Sequence, residues 1–424
     1  MIIKIRLDNT WIKYLLGYLF LFVLYTPAYI KRMLVFDITT YIKIAILFVS
    51  VLLFLWRNKW KCPDIVLFAV LLHLTFVFSS ILNSSNISYS LFFLLSNVGS
   101  LCLCSYILTM KDNEIYLKII VSYFIILLFI NIIVSIYNPN GLYEVSKVYV
   151  IKNQSTVFLG DDNSSLSLYF VSLFWTTALT IKNNKYKWIL FFDIVLFGSF
   201  VFLRKIGTGI IVFLVMALLY FYISIVKYTW LNSGKKIVIL NFGVFILIII
   251  VRIQKYLEYL IKFLTGKKAS LGRNRVWDYS LQLIKNKFFV GYGISTPISY
   301  DDYSTVLAME RALARTGNTH NVFLQQAFWG GMFALVFFIC ILLIAMREFD
   351  KKKTMRKSNL LLVLLSGFLL RGMVEIGFEY YFVILPLFYY IDRVEECNVQ
   401  RRAQLRAASV KLAGANMGYK SETN

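Results

Sequence analysis

Apolar stretches about as long as a bilayer is thick recur along most of this 424-residue chain. They constrain the fold strongly, because backbone N–H and C=O groups in hydrocarbon must be hydrogen-bonded within the protein. With 59% hydrophobic residues, the chain exceeds the roughly half that is usual for soluble proteins. We therefore predict an all-α, polytopic membrane protein with about twelve transmembrane helices. The predicted spans are 11–30, 35–56, 64–82, 88–110, 115–137, 164–181, 188–203, 208–226, 237–251, 322–346, 358–377 and 378–391.

The spans divide the chain into four predicted regions. Residues 1–251 hold about nine N-terminal transmembrane helices, and residues 322–392 hold the C-terminal ones. Between them, 252–321 forms a long periplasmic or extracellular loop bearing amphipathic helices, the first of which would lie along the membrane surface. Residues 393–424 form a tail.

The net charge of +23 bears on orientation. When both termini are placed in the cytosol, the cytosolic segments carry several times as many lysines and arginines as the short outer loops. We therefore predict that both termini and the tail are cytosolic. The basic residues lie between apolar spans, so we do not expect nucleic acid as a partner. The five cysteines show no spacing typical of a metal site, and we predict neither a metal nor a cofactor.

Two arginines begin an amphipathic helix in the long outer loop. Trp277, Leu281 and Ile284 recur at helical spacing, with Phe288 continuing the stripe. Arg273 and Arg275 then fall at the start of the helix, where free N–H groups and the helix dipole attract phosphate. Guanidinium groups there add bidentate hydrogen bonds, so this helix start is a candidate diphosphate site.

Further charged residues lie near the predicted outer ends of other spans. Arg204 follows the seventh span, and Arg371 lies near the end of the eleventh, with Glu375 four residues later as its expected ion-pair partner. Asp161 and Asp162 precede the sixth span, and we expect them to cap it, with sugar hydroxyls as alternative ligands.

Only two histidines occur in the chain. His73 lies inside a span, and we expect it to be a hydrogen-bonded interior residue. His320 precedes the tenth span, and with Thr319 as the expected cap it would occupy the first helical turn at the outer surface. A neutral imidazole at that position can accept a proton from a hydroxyl group. Beside outer-facing arginines, the catalytic interpretation is favoured over a structural one.

Two motifs resemble those of the O-antigen ligase and polymerase superfamily. The first is SLGRNRVWDYSLQLIKNKFFVGYG, and the second, after a loop, is HNVFLQQAFWGG. Arg204 resembles the family's earlier arginine. The other matching positions are Arg273, Trp277, Gly291, Gly293, His320, Asn321, Leu324 and Gly330.

The resemblance implies a glycosyltransferase with a helical, GT-C-like membrane fold in the bacterial cytoplasmic membrane. Its donor would be an undecaprenyl-diphosphate-linked saccharide at the outer face of the membrane. The sugar–diphosphate bond of this donor already stores the energy for transfer. It also implies that Arg204, Arg273 and Arg275 bind the diphosphate and that His320 acts on the acceptor hydroxyl. Asn321, Asp161, Asp162 and Arg371 are candidates for contact with the acceptor or a sugar.

The identity of the acceptor stays open. A growing glycan would make the protein a repeat-unit polymerase for O-antigen or capsule, which we favour by analogy of composition. Lipid A-core would make it an O-antigen ligase. Either enzyme would work with a flippase, and a polymerase also with a chain-length regulator. A transporter for lipid-linked sugars is the alternative from another class, although we find no paired half-sequences typical of one.

Overall fold

Helices make up most of the described residues in the computed structural model. The structure describes residues 10–33, 38–145, 154–225, 232–251, 272–294 and 318–395. The helices of the first half are α1 (Thr10–Leu24), α2 (Ala28–Met33), α3 (Ile38–Arg57), α4 (Asp64–Leu82), α5 (Ile87–Leu108), α6 (Asn113–Tyr137), α7 (Asp162–Lys182) and α8 (Lys187–Leu203). Those of the second half are α9 (Gly207–Ile225), α10 (Gly234–Ile246), α11 (Gly272–Asn286), α12 (Val322–Lys352), α13 (Asn359–Gly372) and α14 (Phe378–Tyr389).

The predicted helical, polytopic membrane fold is confirmed. In the described residues, α3 to α8 and α12 are long and apolar enough to cross a membrane, making seven such helices. The helices α1, α9 and α14 are apolar but shorter. The count of twelve spans therefore stays a prediction, as do the four regions. The amphipathic stretch expected directly after residue 251 and most of the tail lie outside the described residues.

The first predicted span, 11–30, is wrong in its extent. The helix α1 ends at Leu24, and the short α2 begins at Ala28. Pro27 lies between them; it has no N–H group to donate and disfavours helical geometry at Thr26. The hydroxyl of Thr26 instead donates to the carbonyl of Phe22 at 2.7 Å.

A small antiparallel hairpin interrupts the predicted all-α fold. The strands β1 (Tyr143–Val145) and β2 (Gln154–Thr156) pair between α6 and α7. Directly after β2, the backbone N–H of Leu159 donates to Asn131 Oδ1 of α6 at 3.0 Å. The hairpin and this bond hold the segment that leads into the first residue of α7.

The tenth span, predicted as one helix over 322–346, is broken. Gly330 and Gly331 have non-helical backbone angles within α12. The segment Phe288–Gly293, which follows α11, fills the break with main-chain hydrogen bonds. They run from Tyr292 N to Phe328 O, from Gly293 N to Trp329 O and from Met332 N to Phe288 O, each at 2.8 Å.

The last two helices are shorter than the spans predicted at 358–377 and 378–391. They have 14 and 12 residues, or about 21 and 18 Å at 1.5 Å per residue. A hydrocarbon core is about 30 Å thick, so neither helix crosses it alone. Their side chains are buried along most of both helices. Both helices are therefore packed inside the helix bundle.

The predicted orientation can be tested with the protein's own thiols. Cys62 is exposed between α3 and α4, and Asn140 is exposed between α6 and β1. In intact cells, we expect an impermeant maleimide to label Asn140→Cys but not the parent protein, whose Cys62 should react only after permeabilisation. Burial, with a smaller effect of Asp64, raises the pKa of the Cys62 thiol, so labelling is done at pH of about 8.5 to increase the thiolate. Labelling of the parent protein in intact cells would contradict the orientation.

Candidate functional site

The outer end of α12 is capped by Asn321, and the expectation that Thr319 is the cap is wrong. Asn321 Oδ1 accepts from the N–H groups of Phe323 and Leu324, both at 3.0 Å. Its Nδ2 donates to the carbonyl of Met373 at 2.9 Å, which ties α12 to the turn after α13. Thr319 supports this cap, since its hydroxyl donates to the carbonyl of Asn321 at 2.9 Å.

His320 therefore lies just before the cap and outside the helix. Its φ of 51° is in the left-handed region, which aims the side chain away from the helix axis instead of along its first turn. Asn318 Oδ1 accepts the His320 backbone N–H at 2.8 Å and holds this conformation.

The imidazole of His320 is paired with the carboxylate of Glu375. Nδ1 lies 3.3 Å from Glu375 Oε2, and the side chains are 38% and 10% exposed, respectively. A carboxylate accepts hydrogen bonds, so in the neutral imidazole this contact favours the hydrogen on Nδ1 and the lone pair on Nε2. This arrangement of an oriented imidazole and a partly accessible second nitrogen is suited to accepting a proton.

Asn163 holds the other oxygen of Glu375. Its Nδ2 donates to Glu375 Oε1 at 2.8 Å, and its carbonyl accepts from the guanidinium of Arg371. Arg371 is only 1% exposed. The predicted ion pair of Arg371 with Glu375 stays a prediction, whereas Asn163, a residue on a different helix, binds both side chains.

Arg204 binds Asp162 in the first turn of α7, the turn that also holds Asn163. Its Nε donates to Asp162 Oδ1 at 2.8 Å, and one terminal nitrogen lies 3.5 Å from Oδ2. The other terminal nitrogen donates to the carbonyl of Pro139 at 2.7 Å. The carboxylate neutralises much of the arginine's charge. A diphosphate at Arg204, which stays a prediction, would have to share the guanidinium with Asp162 or displace it.

The first turn of α7 thus connects the candidate residues. Asp161 caps the helix by accepting from Ser164 N at 2.8 Å, as expected. Asp162 pairs with Arg204. Asn163 is hydrogen-bonded to Arg371 and Glu375, and Glu375 pairs with His320. Two consecutive residues, Asp162 and Asn163, thus join groups that lie far apart in sequence.

Comparison with known proteins gives a family match that overlaps part of this site. The model of the O-antigen ligase family matches residues 192–339, a segment that begins in α8 and contains Arg204, α11 and His320. This matched segment, which is about a third of the chain, is similar to the O-antigen ligase family, and we call it the O-antigen ligase domain. Members of this family transfer glycans, and the match supports a function of the O-antigen ligase or polymerase type. No curated protein gives a significant match to the whole sequence.

The O-antigen ligase domain does not contain all of the connected residues. Asn163, Arg371 and Glu375 lie before or after the matched segment. From the sequence, Glu375 was expected to form an ion pair with Arg371 only, and Asn163 was assigned no role. Glu375 lies 55 residues from its imidazole partner, a distance at which no spacing rule applies. The one available signal was the position of Asn163 directly after the two aspartates.

Two predicted diphosphate ligands of the O-antigen ligase domain are described only in part. Arg273 and Arg275 lie in the first turn of α11, as expected, but their side chains lie outside the described residues. The predicted apolar stripe is confirmed at Trp277 and Ile284, which are 4% and 5% exposed. Phe288 lies beyond the helix end and is 41% exposed, so the stripe is shorter than expected.

The remaining candidates have structural contacts. Asn321 is fully buried with both ends of its amide bound to backbone, so its predicted contact with the imidazole or a sugar stays untested. His73 is an interior residue, as expected, between the carbonyl of Ala69 and the amide of Asn97. Among the described residues, no three His, Cys, Asp or Glu side chains are grouped as metal ligands would be.

Proposed function

We propose that this protein polymerises undecaprenyl-diphosphate-linked repeat units into O-antigen or capsular polysaccharide at the outer face of the bacterial cytoplasmic membrane. The observation that carries the proposal is the His320–Glu375 pair, inside and beside an O-antigen ligase domain. A sugar hydroxyl cannot enter the hydrocarbon, and a lipid diphosphate cannot leave the surface. A proton acceptor at the mouth of α12 lies where the two substrates would meet.

The proposed reaction is one displacement at the anomeric carbon of the donor. The acceptor hydroxyl gives its proton to His320 Nε2, and its oxygen forms a bond to the anomeric carbon. The bond from that carbon to the diphosphate oxygen breaks, and its electron pair leaves with undecaprenyl diphosphate. Glu375 stabilises the imidazolium that forms, and Arg204 with Arg273 and Arg275 neutralises the leaving group. A flippase would supply the lipid-linked units, and a chain-length regulator would end the polymer.

An O-antigen ligase is the second candidate, because the family model that matches bears that description. The bond chemistry is the same, but the acceptor is lipid A-core. Nothing in the family match supports the transporter alternative.

A reconstitution assay tests the proposal and separates the two acceptors. Lipid-linked saccharide extracted from a deletion strain is given to the purified protein in liposomes, with and without lipid A-core. We expect a ladder of products on lipid diphosphate without lipid A-core. Transfer only when lipid A-core is present would instead identify a ligase. Absence of any transfer by a folded protein would refute glycosyl transfer.

A further inference from the structure

A long apolar cavity runs between α1, α3, α5 and α6. Its volume is about 600 Å³, within the roughly 300–1,000 Å³ typical of small-molecule sites. The lining extends along α1 from Lys13 to Leu24, a distance of about 16 Å at 1.5 Å per residue. The long axis of the cavity therefore runs along the apolar helix α1.

A second cavity continues the first and is polar. It has a volume of about 300 Å³ and shares Leu24, Tyr25 and Leu103 with the apolar cavity. Lys31, Lys43 and Glu379 line it. Charged groups of both signs therefore line this end, two ammonium groups and one carboxylate. Together the two cavities, which we call the α1–α3 crevice, have the polarity of one amphiphile: an apolar shaft and a charged head.

The charged end of the crevice borders the candidate site. Glu379 is four residues after Glu375, in the first turn of α14, and its side chain is exposed to the cavity. Leu168 of α7 also lines this end, on the helix whose first turn carries Asn163. A head group bound here would place an attached sugar beside the turn that holds His320.

We propose that the α1–α3 crevice binds the acceptor lipid, a second polyprenyl-diphosphate-linked saccharide, with its diphosphate at Lys31 and Lys43. The inference rests on the proposed polymerase function, in which both substrates are lipid-linked and two lipid sites are required. Arg204 and the start of α11 would hold the donor. The single narrow shaft fits one polyprenyl chain better than the several acyl chains of lipid A. Glu379 is placed to accept hydrogen bonds from sugar hydroxyls.

Photocrosslinking tests this proposal separately from turnover. The probe is a diazirine-bearing C55 polyprenyl diphosphate in nanodiscs of phosphatidylethanolamine and phosphatidylglycerol. Val49 lines the shaft and is 49% exposed, so Val49→Trp fills it without disturbing the core. Leu52 is a matched control on the same helix, 41% exposed and not part of the lining.

We expect Val49→Trp to lower crosslinking to peptides of α1 and α3 about tenfold, as for a loss of about 1.4 kcal/mol of binding. It should raise the KM for the acceptor, and Lys43→Gln should do the same. Leu52→Trp should leave both measurements unchanged, and His320→Ala should crosslink normally.

Three results would overturn the proposal. If Val49→Trp turns over with the parental acceptor KM and is crosslinked as well as the parent protein, the crevice does not bind the acceptor. The proposed function would still stand. Equal competition by excess phosphatidylglycerol would show an ordinary phospholipid site. Crosslinking in the crevice without turnover on any acceptor would refute the proposed glycosyl transfer, and the acceptor role with it.

Discussion

Replacing His320 with alanine should lower the turnover number at least about a hundredfold, the low end for a positioned acid–base group. The physical reason is that Nε2 is the atom placed to take the acceptor's proton, while Nδ1 is held by Glu375 at 3.3 Å. The measurement is the initial rate of a purified protein on a lipid-diphosphate saccharide. Binding of the donor should change little, because the arginines are intact.

The backbone at His320 calls for a second variant. Its φ of 51° is adopted more readily by asparagine than by most residues, so His320→Asn removes the imidazole without adding strain. We expect the same loss as in the alanine variant. A near-parental rate in a folded His320→Asn protein would show that the imidazole has a structural role only.

Glu375 should act through His320 as a positioning residue. We therefore expect Glu375→Gln to lower the turnover number by itself but to have little further effect in a His320→Asn background, because coupled residues are not additive. Equal effects of Glu375→Gln in both backgrounds would show that the carboxylate acts independently of the imidazole.

Replacing Gly331 with alanine should destabilise the protein by at least about 3 kcal/mol, the upper range for backbone strain and overpacking. Its φ is +71°, and an added Cβ would lie 2.1 Å from the carbonyl oxygen of Phe289. The clash is with main-chain atoms, which cannot rotate away, so the loop segment would leave the break in α12. The thermal midpoint in detergent, followed by size-exclusion chromatography, measures the effect.

Gly243 provides the matched control for Gly331. It lies inside α10 with nothing within 4 Å of an added Cβ. Gly243→Ala should therefore raise stability slightly, by up to about 1 kcal/mol, because alanine favours the helix and restricts the unfolded chain. A parental thermal midpoint in Gly331→Ala would show that the loop is not docked in the helix break.

The sequence predicts the helices well where a long apolar run ends in polar residues. Thus α4, predicted at 64–82, is observed at Asp64–Leu82. The break at Gly330 and Gly331 was not predicted, because apolar residues continue on both sides of it. The segment that fills the break ends at Gly293, well before Gly330 in the sequence. The residue pattern around the break therefore cannot predict that segment or its hydrogen bonds.

The site was predictable in its residue types more than in its contacts. Thr319 and Asn321 are both suitable caps by sequence, and the bond from Asn321 to the carbonyl of Met373 distinguishes them. That carbonyl lies in the turn between α13 and α14, away from α12 in the sequence. Likewise, the pairing of Arg204 with Asp162 depends on the approach of α7 and α8. Partners brought together only by tertiary packing are not visible in a residue pattern.

The segment bound in the break of α12 connects two parts of the site rigidly. Three hydrogen bonds join the segment after α11 to both sides of the break, and all of them use main-chain atoms. The start of α11, which carries Arg273 and Arg275, and the outer piece of α12, which follows His320, are therefore held at a fixed spacing by main-chain groups, provided that the glycines at the break are kept. Substitutions at Phe289, whose side chain is 61% exposed, can alter the outer surface of the segment while leaving that spacing unchanged.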